Sequence, residues 1–392
     1  MQNPSHHWSI DPEIDFLNHG SYGACPIPIL AEQQRWRERM EKQPVQFLDR
    51  DLEGLLDQAK TVAAPFVGAD AEDFVFVPNA TTAVNSVLRS LELHPNDEIL
   101  IVDHGYNACL NVVDHACAKS GAKKVVVELP FPISSPDIVI ERVIAAITPA
   151  TRLALIDHIT SPTGLVLPVA QLVHELNERG VDSMIDGAHA PGMLDLDISS
   201  LGATYYTGNF HKWVCAPKGA AFLWVHRDRQ IELRPMTISH GANSPREDRS
   251  RYRLEFDWTG TDDPTAYLCV PAAIEFLGGL FEGGWEELRH RNRQLVMAAR
   301  KLLCEALGCS IPAPEEMIGM LAAVPLPEIA ASSGDSPLYR DPLQDALRKD
   351  HGIEVMILSW PSPKLRILRI SAQAYNRIEQ YEKLAAALRD LV

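Results

Sequence analysis

The sequence predicts an α/β protein: a mainly parallel sheet flanked by helices, followed by a smaller C-terminal α+β domain. Three observations carry this expectation. Short apolar runs recur between residues 74 and 225, and helical patterns separate most of them. The runs are continuously apolar instead of alternating, which marks strands covered on both faces. Beyond about residue 262 the pattern changes to long helical stretches and one alternating strand.

The elements follow in chain order. FVFV (74–77) leads into a helical pattern over 81–91, and EILIV (98–102) precedes another helix. KVVVEL (124–129) is the next strand, and RLALID (152–157) leads through SPTG to a helix over 169–179. The run 203–206 joins DSMID (182–186) and AFLWV (221–225) to complete the set. AYLCVPAAIEFLGGL (266–280) reads as one long helix and 285–307 as another, while KLRILRIS (364–371) alternates like a strand. Gly and Pro around 241–245 mark a loop before the second unit. The chain therefore divides into an N-terminal segment (1–30), a large α/β domain (31–262) and a small α+β domain (263–392). In parallel sheets, ligands bind beyond the carboxyl ends of the strands. Thr81, residues 103–107, 161–164 and 186–189, and Lys212 all lie there.

Composition excludes several classes of partner. A net charge of −16 argues against a nucleic-acid backbone or an anionic membrane. A small anionic ligand held by local basic residues remains compatible with it. The seven cysteines are scattered and none forms a CxxC pair, so they read as reduced thiols of a cytoplasmic protein, with neither a disulfide framework nor a zinc site. MQNPSHHWSI lacks the basic and apolar regions of a signal peptide, and no apolar stretch is long enough to span a bilayer.

Five segments carry chemistry. In ATYYTGNFHKWVCAPKG (203–219), Lys212 follows His211 just after a buried run. A surface turn accounts for such a pair, and so does a lysine that forms a Schiff base with a carbonyl cofactor. In PNATTAVNSVL (78–88) two threonines open a helix, either as an anion site or with Thr81 as a plain N-cap. In MIDGAHAPG (184–192), Asp186 ends a buried strand, where a carboxylate needs a positive partner or good donors. A protonated pyridine nitrogen is one such partner, and a structural turn cap is the alternative. His189 could reach a neighbouring ring substituent. DHGYNA (103–108) places an aromatic or imidazole at a strand end, able to stack on a flat cofactor or simply to sit in the core. Arg369, in LRISAQAYN (368–376), is the natural fork for a substrate carboxylate, or a surface strand arginine.

Together these parts are what pyridoxal phosphate needs, and with them the chain resembles the class V aminotransferase family of fold-type I enzymes. NHGSYGACP, TSPTGLVLP, DGAHAPG, YTGNFHKWVCAPKG and FDWTGTDDP point to its isopenicillin N epimerase-like branch. The resemblance covers nearly the whole chain and implies a seven-stranded-type sheet. It implies that Lys212 is the Schiff-base lysine, that Asp186 partners the pyridine nitrogen, and that His189 lies near the phenolic oxygen. Thr81, Thr82, Asn209 and His211 would cradle the phosphate. Thr261 would reach the phosphate of the neighbouring subunit across a homodimer interface. Tyr106 or Asn107 would cover the ring face, Asn85 would contact the substrate, and Arg369 would hold its α-carboxylate. Many relatives carry Asn at the position of Ser161, so Ser161 must contact the phenolic oxygen or leave it to His189.

The implied activity is α-proton removal from an amino acid, as in an isopenicillin N epimerase-like enzyme. A C–S lyase or an aminotransferase shares the same first step. HGIEVMILSWPSPKLRIL (351–368) has no cysteine, which disfavours persulfide-forming desulfurase chemistry. A non-catalytic scaffold would have lost Lys212 or Asp186, and a nicotinamide-binding protein would carry GxGxxG after an early strand. Arg246, Arg249, Arg251 and Arg253 form either a solvated loop or a site for a second carboxylate or bulky side chain.

Overall fold

The computed structural model describes residues 4–328, 341–362 and 364–392. Near the N-terminus, β1 (Asp15–Phe16) is a two-residue strand. The large sheet is built from β2 (Phe74–Val77), β3 (Glu98–Val102), β4 (Lys123–Val127) and β5 (Thr151–Asp157), then β6 (Asp182–Gly187), β7 (Tyr205–Asn209) and β8 (Ala221–Val225). Its order is β2-β8-β7-β6-β5-β3-β4. β8 runs antiparallel to both neighbours and every other pairing is parallel. Parallel neighbours need crossover connections, which the helices Asn107–Ser120, Asp137–Ala146 and Val169–Glu178 supply.

Successive strand residues bury on opposite faces. Val75, Ile99, Leu153, Met184, Tyr205 and Leu223 join one core cluster, while Phe74, Leu100, Ala154, Ile185, Tyr206 and Phe222 join the other. Burying each such large side chain contributes about 1.5–3 kcal/mol. The same alternation places Asp157, Asp186 and Asn209 on one face of the sheet at its carboxyl edge. β4 is the edge strand, and its exposed Lys123 and Lys124 protect that edge from further pairing.

Four boundaries differ from expectation. β7 begins at Tyr205 and continues through Asn209, so Thr207, Gly208 and Asn209 belong to the strand. Gly208 permits this, because a Cβ there would lie 2.6 Å from Pro191 Cγ and 2.8 Å from Phe222 Cε1. The helix after β2 is Ala80–Ser90 and is capped by Asn79, not Thr81. β4 stops at Val127. The single helix expected over 266–280 is two helices, Thr265–Leu268 and Val270–Gly278. Pro271 in the first turn of the second lacks the N–H that would continue the first.

The C-terminal part carries β9 (Leu321–Leu326), β10 (Ile353–Glu354), β11 (Met356–Ser359) and β12 (Arg366–Ser371). β9, β11 and β12 form an antiparallel sheet in the order β11-β12-β9, with the helices Gly284–Leu307 and Ile378–Leu391 nearby in sequence. β1 pairs with β10 in parallel, Asp15 opposite Ile353. That pairing lays the N-terminal segment between the two sheets. Among the described residues, no helix is long and apolar enough to cross a membrane.

The four loop arginines are each in an ion pair. Arg246 bonds Glu53 (2.8 Å) and Asp248, Arg249 bonds Asp57 and Glu53, Arg251 pairs with Glu255, and Arg253 reaches Asp57 and Glu72. Beside them, buried Lys60 grips Asp257 at 2.6 and 2.7 Å. Arg246, Arg249 and Arg253 tie the segment to Glu53 and Asp57 of the helix Leu52–Phe66, while Arg251 pairs within its own helix Arg251–Phe256. Arg246 and Arg251 are exposed, whereas Arg253 is buried in its pairs.

Candidate active site

The floor of the site is Asp186, at the end of β6 and only 3% exposed. Its Oδ1 accepts from the backbone N–H of Ala188 (3.0 Å) and its Oδ2 from the Cys109 thiol (3.2 Å). Among the described residues, no cation lies within ion-pair distance. Burial raises its pKa, while the Cys109 and Ala188 hydrogen bonds and the charge of Lys212 oppose that rise. A buried carboxylate so placed fits a protonated ring nitrogen. Beside it, Asp157 of β5 stands directly opposite Asp186 in the register. Cys109 and Asp157 were not singled out from the sequence, although Asp157 also ends an apolar strand.

Lys212 lies on the tight turn between β7 and β8, half-buried. Its Nζ is 3.1 Å from His189 Nε2. Trp213 Nε1 donates to His189 Nδ1 (3.3 Å), so Nδ1 is an acceptor and the proton of the neutral ring sits on Nε2. Burial and neighbouring cations hold His189 neutral by pushing its pKa well down. With its proton on Nε2, the His189 ring donates to Lys212 once the lysine has lost its own proton. Burial, then the charge of Arg369, lowers the lysine from 10.5 to about 8, so an appreciable neutral fraction exists near neutral pH. The sequence places His189 beside a ring oxygen; in this structure it is the partner of Lys212.

The turn is clamped from behind by the N-terminal NHGSYG segment. Buried His19 bonds the Lys212 carbonyl through Nε2 (3.0 Å) and the Tyr375 hydroxyl through Nδ1 (2.8 Å). Gly23, at φ 70°, passes so close that a Cβ would meet the His211 carbonyl oxygen at 2.1 Å. His211 in turn bonds the Ala220 carbonyl through both its backbone N–H (3.0 Å) and Nδ1 (2.9 Å). His19 was missed in the sequence, because nothing local ties residue 19 to residue 212.

At the other side stands the first turn of Ala80–Ser90. Asn209 Oδ1 accepts from the Ala80 N–H (3.0 Å), and Asn79 accepts from the Thr82 N–H (2.8 Å) and hydroxyl (3.1 Å). Asn209 and Thr82 therefore hold the helix start in place, while Thr81 and His211 stand near the same edge. Asn85 donates to the Thr81 carbonyl (2.9 Å), bracing that turn instead of reaching outward with its amide. The helix N-terminus is a natural site for a phosphate.

Arg369 comes from β12 and is 4% exposed. Its Nη1 donates to the Ser161 carbonyl (2.5 Å) and hydroxyl (3.3 Å), and its Nη2 to the Ser21 hydroxyl (2.9 Å). Its Nε is buried without a partner among the described residues, and no carboxylate there lies within ion-pair distance. Burial lowers its pKa to about 10. Such a guanidinium is ready for an anion. Ser161 thus faces Arg369 in this structure. Tyr106, at 45% exposure, precedes the helix Asn107–Ser120, and its phenol feels Cys109, Asp186 and Arg369. Asn107, exposed like Tyr106, opens that helix. His104, the imidazole of the same turn, is committed to the Thr163 hydroxyl (2.8 Å) and the Leu129 carbonyl (3.2 Å), so it is a core residue. Thr261 is exposed.

A lysine of lowered pKa, a buried carboxylate and a helix N-terminus at one sheet edge match the three reactive points of pyridoxal phosphate, and the fold is that of fold-type I enzymes using this cofactor. The chain belongs to the class V aminotransferase family, whose model, "Aminotransferase class-V", matches residues 40–384. It is 36% identical to isopenicillin N epimerase of Amycolatopsis lactamdurans, over 98% of this chain and 96% of that protein. It is 30% identical to L-cysteine desulfhydrase of Arabidopsis thaliana, over 96% of this chain and 87% of that protein. The structure of the cystine C–S lyase C-DES in complex with its reaction product cysteine persulfide shares the fold, with a TM-score of 0.77 at 22% identity, over 97% of this chain and 98% of that one. The protein is a pyridoxal phosphate-dependent enzyme.

The amine of Lys212 gives a direct test of the site. Only the unprotonated form attacks the cofactor's aldehyde, and that fraction grows as pH rises through the pKa. Uptake of pyridoxal phosphate by the cofactor-free chain is therefore expected to quicken with pH and level off above about 8, measured by stopped-flow absorbance. A rate still climbing at pH 10 would show a solvated lysine.

Proposed function

We propose that the protein removes the α-hydrogen of an amino acid at Lys212 and returns a proton on the opposite face, an isopenicillin N epimerase-like reaction. The observation that carries this reading is the buried, carboxylate-free Arg369 guanidinium together with the Lys212 amine whose pKa its charge and burial lower. When bound, pyridoxal phosphate supplies an electron sink that acidifies the Cα–H of an amino acid joined to it. Asp186 would hold the ring nitrogen protonated, Thr81 and His211 would meet the phosphate, and Arg369 would fix the α-carboxylate. Lys212, about half of it neutral near pH 8 and more above, can take the proton in that form. Burial raises the pKa of Tyr106, so its phenol keeps its proton and can serve as donor on the second face.

A C–S lyase is the second reading, supported by the relative named L-cysteine desulfhydrase. It needs the same proton removal and then only departure of a sulfur group. We place either reaction in a homodimer, with Thr261 of each chain completing the partner's phosphate site. A reducing, cytoplasmic setting is supported by seven free cysteines.

A panel of amino acids and sulfur-containing derivatives in deuterated water separates the readings. The epimerase returns deuterium-labelled amino acid of inverted configuration, and Tyr106→Phe slows inversion more than label wash-in. Stoichiometric pyruvate and ammonia without inverted amino acid would establish the lyase instead.

A further inference from the structure

Asp157 and Asp186 end adjacent parallel strands and stand opposite one another in the register. Their side chains project from the same face of the sheet, and strands so paired are about 4.8 Å apart. Both residues are buried, at 5% and 3% exposure, and among the described residues neither has a cation within ion-pair distance. The two differ in what they accept. Asp186 takes a hydrogen bond on each oxygen, from Ala188 N–H and from the Cys109 thiol. Asp157 has no side-chain donor among the described residues; the backbone N–H groups of Tyr106 and of Asp157 itself, then the charge of Lys212, are what favour its ionised form. Two like charges at this spacing in a buried site cannot both persist cheaply.

We propose that Asp157 is the proton-carrying member of this pair: a neutral positioning residue that leaves the single negative charge on Asp186, beneath the turn bearing Tyr106. The groups facing the pair are Lys212 from the β7–β8 turn, Cys109 and Tyr106 from the Asn107–Ser120 helix and its cap, and each carboxyl from the other's strand. Gly105 lets that turn come down onto it, since a Cβ there would sit 3.5 Å from Asp157 Oδ2 and 2.9 Å from Leu110 Cδ2. Burial and the neighbouring Asp186 charge push the Asp157 carboxyl well above the usual range. Cys109, its thiol pushed well up by burial, stays protonated and keeps donating to Asp186.

The proposal rests on the assignment of Lys212 and Asp186 to the cofactor, and its test has an arm that does not. Infrared difference spectra of the cofactor-free chain at pH 7 should show the carbonyl stretch of an un-ionised carboxylic acid, absent in Asp157→Asn. In Asp186→Asn the same band should vanish at a pH lower by about 1 unit or more, because the like charge is gone. In the cofactor-bound protein, Asp157→Asn should leave the pH of the Lys212–cofactor absorbance change within about 0.3 unit of wild type, since one neutral group replaces another. No such band at pH 7, or a fall of about 1 unit in that absorbance transition, would place the charge on Asp157 and overturn the proposal. Should Asp157→Asn not fold, the band of the wild-type chain and its shift in Asp186→Asn decide alone.

Discussion

Replacing Lys212 by alanine is expected to abolish covalent cofactor attachment and to lower turnover about 10³-fold or more. Two functions are lost together, the attachment amine and the proton acceptor. In the wild-type chain, borohydride reduction should fix a pyridoxyl group on the peptide containing Lys212, read by mass spectrometry. The alanine variant should bind the cofactor only reversibly. Its fold should persist, because the surrounding turn is held by backbone contacts: His19 to the Lys212 carbonyl, and His211 to Ala220. An adduct on a different lysine would reassign the site. Mixed with inactive Thr261→Ala chains, Lys212→Ala chains should regain part of the wild-type rate, since one of the two hybrid sites carries neither lesion. Subunit exchange without any recovery would separate the sites and remove Thr261 from them.

Asp186→Asn is expected to cost about 10²–10³-fold in turnover while leaving the melting temperature at or above that of the wild type. The amide cannot stabilise a protonated ring nitrogen as a carboxylate does. It does keep a side-chain oxygen that can accept from Ala188 N–H or the Cys109 thiol, and it removes a buried charge from beside Asp157. Loss of activity should therefore come without loss of packing. A variant retaining a tenth of the wild-type rate would remove Asp186 from the electron-sink role. A large drop in melting temperature would instead make the residue a structural cap.

How far the sequence reached depends on where each constraint lies. The seven strands of the large sheet were legible because each is a continuous apolar run, and burial on both faces leaves that mark in any order of pairing. Lys212, Asp186 and Arg369 were legible because a charged residue at or just beyond a buried strand needs an explanation. The N-cap of the helix after β2 was misplaced by two residues, since Asn79 and Thr81 are both good caps and only the Asn79 φ of −165° and its bond to Thr82 N–H choose between them. His104 and Tyr106 looked equivalent in DHGYNA; packing against Thr163 and Leu129 committed the first to the core. The resemblance puts Ser161 or else His189 at a ring oxygen, and long-range contacts set Ser161 against Arg369 and His189 against Lys212.

What the sequence by itself determined is the sheet, the family and its cofactor, because local hydrophobicity and the cost of burying charge are written residue by residue. What only the tertiary structure decided is protonation and partnership. The Trp213 N–H on His189 sets the ring proton on the nitrogen facing Lys212, the N-terminal His19 clamps a turn 193 residues away, and the β5–β6 register sets Asp157 against Asp186. Each of these depends on the distance between groups far apart in the chain, and electrostatic energy in a buried site is a function of that distance, which only the folded chain fixes.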